Sequence, residues 1–430
     1  MKVGVKTMKK LKILILLMTS ILLIGVIPGC SSDDAGREGE DGETVTLTVW
    51  GDADNQATLE PAFEKINDAF MEKYPNIKID YQWTGTIESI NVAMQTDSLP
   101  DLFWVQGNKS TVMAEMARNG YIIPLDKYNL DISRFPKESV EYCTVDGKLY
   151  CSPPSFIAYV TIYYNKNIFD KYGLKVPETW DEFEKVVKVL ADNGVTPIAV
   201  GGKGDFDRYW ILQAMAASLS TDVLQAIVDG KEDIDFSNLE TTFELYREFA
   251  TKGYFGKDVA SIDGAGAQLA FTNGKAAMIA DGTWNNSTYR ELGMNIGSFA
   301  LPGMDGKRYA QSGPYNANTY AISSKSKHPD QAVKYLKFLM SKEAQQIIAD
   351  ETGQVPMLDD IQPKDDAVKE LAAFDKIGLN IYNILSQVAD ENSKPHDLLL
   401  TELAPKLMMG KMTGKEAVQL LKAELNKRSK

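Results

Sequence analysis

From residue 44 onward the chain alternates between segments of period two and segments of period 3.6, and this limits the folds open to it. Thr44–Trp50 (TVTLTVW) reads as a strand, and Pro61–Tyr74 sets Phe63, Ile66, Ala69 and Phe70 on one helical face. Asn76–Tyr81 then alternates again. Strand, helix and strand in this order predict a parallel βαβ unit. The pattern continues with strands over Leu102–Val105, Ala158–Tyr164, Thr196–Val200, Ala276–Ala280 and Ile296–Ala300. Between and after them lie helical stretches at Lys109–Arg118, Thr179–Asn193, Arg208–Ser220, Asn238–Lys252 and Asp330–Met340. Thr179 with Glu182 three residues later spells a capping box. The last forty residues read as helical, most clearly at Thr401–Met409 and Lys415–Asn426. The fold class is therefore α/β, and 430 residues are too many for one core, so two lobes are expected.

The residues before the first strand have a different character. Met1–Lys12 holds five lysines and no acid, and Ile13–Ile27 is almost wholly apolar. That is the layout of a secretory signal, and the run is short for a membrane span, which takes about 20 residues. Ile27-Pro28-Gly29-Cys30 resembles a bacterial lipobox, with proline in place of the usual small residue. The resemblance implies lipidation at Cys30, with several acyl chains making a stable anchor. Residues 1–29 are thus read as signal peptide and 30–43 as a lipid-anchored flexible tether, since Ser31–Glu43 has no apolar residue larger than Ala35. The full chain carries −13; without the five leader lysines the balance is 41 basic against 59 acidic residues, or −18. That argues against nucleic acid and anionic lipid as partners. Two histidines, His328 and His396, are too few and too far apart for a metal site. Cys143 and Cys151 flank Val145-Asp146-Gly147-Lys148, a hairpin signal. In a two-residue Asp-Gly loop Cys143 faces Tyr150, which argues against a disulfide; only a loop of Asp146–Lys148 sets the thiols opposite each other.

Five stretches, taken in order, resemble the extracellular solute-binding proteins of ATP-driven importers, the group that includes the maltose/maltodextrin-binding protein. They are Leu47–Trp50 with the following helix; Leu99-Pro100-Asp101-Leu102-Phe103-Trp104; Ile162–Lys166 with Pro177–Phe183; Phe271–Met278 with Asp281–Trp284; and Ala321–Ser323 with Ala332–Met340 and Glu343-Ala344. The resemblance implies a two-lobed periplasmic-binding-protein-like fold of type II with a cleft between lobes joined by several strands. Residues 44–157 and 318–369 would form lobe I, and 158–317 with 370–430 lobe II. The chain would cross near Phe156–Thr161 and Gly313–Asn318 and return around Gln362–Asp375. It further implies a monomer that captures an extracellular carbohydrate and delivers it to ABC permease subunits with their ATPase. No catalysis and no cofactor are implied, and the membrane is met through the lipid anchor only.

A sugar site needs flat aromatic platforms for C–H faces and a ring of polar side chains for hydroxyls, because each unpaired hydroxyl costs about 1–3 kcal/mol. The candidates are Trp284 with Asn285 beside it; Asp52, Asp54 and Gln56 past the first strand; and Trp104, Gln106 and Asn108 at a strand end. Asp205, Phe206 and Asp207 precede a helix, and Tyr159, Tyr315, Asn316 and Asn318 adjoin the expected crossings. Asn392, with His396 nearby, lies in a polar loop. Trp50, Trp83, Trp180 and Trp210 are assigned to packing. Two other readings stay open. A polyamine would suit the acidic loop at Asp52 and Asp54, whereas a polyol phosphate would favour basic groups at helix N-termini, of which no cluster stands out. A surface glycoside hydrolase would need two carboxylates about 5–10 Å apart.

Overall fold

Leu47 and Val49 alternate with partly exposed neighbours in β1 (Val45–Asp52), as a strand with one face on a core requires. The computed structural model describes residues 44–107, 111–311 and 318–428, so the leader, Cys30 and the tether lie outside the described residues. β1 runs parallel to β2 (Ile77–Gly85) on one side and to β3 (Leu102–Val105) on the other; Thr319–Ile322 joins antiparallel beyond β3. The late strand closes a sheet begun by β1, β2 and β3, so the chain leaves this lobe and returns to it. The first helix, Gln56–Lys73, buries Leu59, Phe63, Ile66 and Phe70 against the sheet. It begins five residues before the expected start, with Pro61 inside it, and adds a turn at the end facing the other lobe.

The hairpin β4 (Thr144–Val145) and β5 (Lys148–Leu149) pairs Thr144 with Leu149, so the loop is Asp146-Gly147, both at positive φ. Cys143 and Cys151 are buried free thiols, and their side chains nonetheless lie close enough to interact. Cys151 bridges instead to Ala321 of the returning strand.

β6 (Phe156–Ile157) leads out of the first lobe and pairs antiparallel with Val355–Pro356, a two-stranded ribbon between the lobes. The second sheet is built from β7 (Val160–Asn165), β8 (Thr196–Ala199), β9 (Ala276–Gly282) and β10 (Ile296–Phe299), in the order β10-β7-β9-β8. Every residue of β9 is buried, as a strand covered on both faces must be. Helix Asp205–Leu219 runs through this lobe buried on most of its surface, packing on Arg308–Gln311 and on helix Ser237–Thr251. Thr179 caps helix Trp180–Asp192 by accepting the N–H of Glu182; the Glu182 carboxylate accepts from the N–H of Glu178, one residue outside the expected reciprocal partner. The expected boundary between 369 and 370 falls inside one helix, Asp366–Leu371. That helix belongs with the second lobe, where Glu370 pairs with Lys166 at 2.9 Å and accepts the N–H of Ser298.

Candidate functional site

A cavity of about 490 Å³ lies where the two sheets and the connecting ribbon meet. The first lobe contributes the loop after β1 and the added helical turn. Asp52 caps the short turn Ala53–Asn55, its carboxylate accepting from the Asp54 N–H at 3.1 Å and from the Asn55 amide at 2.7 Å. It is 5% exposed, and burial raises its pKa above the ordinary 3.8 against the lowering pull of those two donors. Asn55, Thr58 and Leu59 line the same wall.

The second lobe contributes an aromatic wall. Phe206, Tyr209 and Trp210 stand on one end of helix Asp205–Leu219, and Tyr382 closes on Phe206 with ring centroids 5.5 Å apart. Trp210 meets Trp284 at 5.8 Å with planes inclined by 68°. The Tyr209 hydroxyl donates to Asn380 at 2.7 Å and accepts the Tyr382 N–H at 3.1 Å, which fixes the wall to the start of helix Ile381–Gln387. Trp284 lies over Gly282, where a Cβ would fall 2.1 Å from the indole; only glycine lets the ring approach the backbone so closely. Asp281 secures this turn, accepting from the Gly282 N–H, the Asn285 amide, the Gln268 amide and the Tyr289 hydroxyl.

Amides complete the lining. Gln213, Gln311, Asn318 and Gln354 line the cavity, each is at most 4% exposed, and each has a side-chain polar atom without a hydrogen-bond partner among the described residues. Buried polar groups are normally paired, so unpartnered amide atoms clustered beside one cavity mark its wall as polar. Asn318 holds a positive φ of 64°, a conformation asparagine tolerates better than most residues.

Of the residues singled out in the sequence, Asp52, Tyr159, Phe206, Trp284 and Asn318 line this cavity. Others do not. Trp104 is in the core of the first lobe because β3 is covered on both faces; with Gln106 it borders a separate apolar void of about 20 Å³. Asp54 is exposed beyond the Asp52 cap, and Gln56 turns to Glu60 on its own helix. Asp205 pairs outward with Arg208, and Asp207 accepts the N–H of Gly264 behind the aromatic wall. Asn285 is held on Asp281, and Asn392 is exposed in its loop. Asn108, Tyr315 and Asn316 lie outside the described residues. Trp210, assigned to packing, is part of the wall, and Tyr209, Gln213, Gln311, Gln354, Asn380 and Tyr382 join the site unforeseen. Phe206, Trp210 and Gln213 fall at i, i+4 and i+7, on one stripe of the helix.

A model of the family described as bacterial extracellular solute-binding protein matches residues 53–346. The multiple sugar-binding protein of Streptococcus mutans is 26% identical, over 78% of this chain and 79% of its own length. The diacetylchitobiose binding protein DasA of Streptomyces coelicolor is also 26% identical, over 83% of this chain and 84% of its own length. The structure of apo RafE from Streptococcus pneumoniae superimposes with a TM-score of 0.71 at 21% identity, covering 90% of this chain and 99% of that one.

Proposed function

The chain belongs to the bacterial extracellular solute-binding proteins, and from that premise we propose that its cavity captures a carbohydrate, an oligosaccharide, and presents it to an ABC permease and its ATPase. The observation that carries the reading is a cavity of about 490 Å³ lined by aromatic rings together with a set of amide side chains. Aromatic faces take the C–H side of a sugar ring, and amides take its hydroxyls. The volume lies within the roughly 300–1,000 Å³ of small-molecule sites.

Charge separates this reading from its rivals. The described lining contains one ionisable acid, Asp52, and neither lysine nor arginine. A phosphate would stand there without a cation. A polyamine would meet one carboxylate, already engaged by two donors. Hydrolysis of a glycoside by a carboxylate pair would find one carboxylate where it uses two. The sugar-binding names of the relatives from Streptococcus mutans and Streptomyces coelicolor point the same way.

Calorimetric titration with raffinose, maltotriose, xylotriose and diacetylchitobiose, beside spermidine and glycerol 3-phosphate, tests the reading. One of the sugars is expected to bind near micromolar, about −8 kcal/mol. Binding of spermidine with silence from every sugar would overturn it. Anchoring belongs to the same proposal: Cys30 carries the lipid, and Cys30→Ser is expected to move the chain from the membrane fraction to the medium. Equal retention of both forms on the membrane would remove the anchor.

A further inference from the structure

We infer that Cys143 and Cys151 form a disulfide site, closed by oxidation as the chain folds, that ties the end of helix Lys137–Tyr142 to the strand returning to the first lobe. Both thiols are wholly buried. The Cys143 Sγ donates at 3.2 Å to the carbonyl of Ser152, the residue after Cys151. The Cys151 Sγ donates to the Met113 Sδ at 3.6 Å. An S–H is a weak donor, so little holds either sulfur where it stands. The register that sets Cys143 against Tyr150 separates the thiols only while both residues are extended and alternate faces. Cys143 is not extended. It caps the C-terminus of helix Lys137–Tyr142 at φ −95° and ψ 4°, while its carbonyl accepts the Tyr150 N–H at 2.9 Å. Cys151 has left the hairpin and bridges Ala321, and the Ser152 N–H donates to the Tyr320 carbonyl at 2.9 Å. A bond between the two sulfurs therefore joins the helix end to the strand Thr319–Ile322.

A disulfide carries no charge, which suits this dry place. Burial, and after it the neighbouring Cys151, hold the Cys143 thiol well above its usual range, so a thiolate is disfavoured there. The same burial keeps oxidants away from the folded chain. Closure thus precedes the docking of Thr319–Ile322 over the hairpin, while both thiols still meet solvent. One cysteine thiolate attacks a sulfur of a small-molecule disulfide and expels one thiolate. The other cysteine then attacks the mixed disulfide and expels the second. Two protons leave the cysteines, and their two electrons reduce the small disulfide to two thiols. In the cell the bond depends on the anchored placement proposed above, outside the reducing cytoplasm. In purified protein it does not.

The test uses the full chain carrying Cys30→Ser, which leaves Cys143 and Cys151 as its thiols. It is refolded from urea either with a mixture of reduced and oxidised glutathione or with dithiothreitol, then denatured and treated with N-ethylmaleimide. The glutathione-folded chain is expected to take up no maleimide. Trypsin should release from it the peptides Glu138–Lys148 and Leu149–Lys166 as one linked species. The dithiothreitol-folded chain should be labelled at both cysteines, and its melting temperature is expected to be lower by about 5 °C. A Cys143→Ala/Cys151→Ala double variant should melt alike after either treatment. Two labelled thiols in chain folded with glutathione would overturn the inference, as would glutathione carried on either cysteine in place of the linked peptides. A linked chain that melted no higher than the reduced one would overturn it too. Loss of the anchor at Cys30 would leave this result unchanged.

Discussion

Asp52 is the one charged side chain in the described lining of the cavity, and it is there at a cost. Burial raises its pKa above 3.8, so the folded chain holds that proton more tightly than the unfolded chain does. Stability from this group is therefore greatest in acid and is lost as pH rises from the ordinary carboxylate range through the raised folded value. Asp52→Asn, which can still accept from Asp54 and Asn55, is expected to be more stable than the original chain at pH 7, with the gap closing toward pH 4. Urea unfolding at both pH values measures it, and a gap that widened in acid would refute the sign. Asp52 was legible in the sequence because an acid just past a first strand sits where sheet loops converge. Gln311 and Gln354 were not, because a lone glutamine carries no spacing signal; only their burial beside a cavity sets them apart. Trp104 misled because an apolar strand of four residues reads alike whether one face or both are covered.

The turn Thr283–Asn285 shows how an element can hold a binding group and a hinge together. The Thr283 N–H donates to the Tyr159 carbonyl at 2.8 Å, and the Tyr159 N–H donates back to the Thr283 hydroxyl at 3.2 Å. The Gln354 amide donates to the Thr283 carbonyl at 3.4 Å, and the Asn286 amide to the Gly353 carbonyl at 3.3 Å. Tyr159 follows β6 and Gln354 precedes Val355–Pro356, so the turn that carries Trp284 is bonded beside both strands of the ribbon between lobes. Thr283→Val keeps the shape and leaves the Tyr159 N–H unpaired in a buried place. It is expected to cost about 1–3 kcal/mol of stability and to weaken sugar binding, with Thr283→Ser restoring both. Chemical denaturation and calorimetry read the two effects, and a valine variant equal to the original in both would break the link. At this scale the sequence displayed most elements but placed their ends poorly. Pro61 reads as a helix start because proline favours the first turn, yet the helix begins at Gln56, and the additional turn brings Asn55 and Thr58 to the cavity. Helix Asp205–Leu219 is apolar on most sides, so periodicity could not single out the stripe that faces the ligand.

Across the whole molecule, two four-stranded sheets are joined by a chain that leaves the first lobe at β6 and returns in Thr319–Ile322. The order of strands and helices made this two-lobed plan readable. The exact division did not follow, because Asp366–Leu371 owes its place to Lys166 and Ser298, some 200 and 70 residues away in the chain. The acidic balance supplies a test that no single residue can. A field of −13 over the full chain attracts a cationic ligand, and that attraction weakens as the screening length falls from about 30 Å at 0.01 M salt to about 10 Å at 0.1 M and 3 Å at 1 M. A neutral sugar held by stacking and hydroxyl contacts feels little of it. Its affinity is expected to stay within about twofold between 0.01 M and 1 M salt, as unscreened charge is absent from the ligand. Because Asp52 and Asn55 on one lobe and Trp284 and Tyr382 on the other can touch one ligand together only across the cavity, the same binding should draw the lobes inward. The radius of gyration from solution scattering is then expected to fall on adding sugar, equally at both salt concentrations. An affinity that dropped steeply with salt would identify a cation as the cargo, and a radius unmoved by a bound sugar would mean that the two walls do not share it.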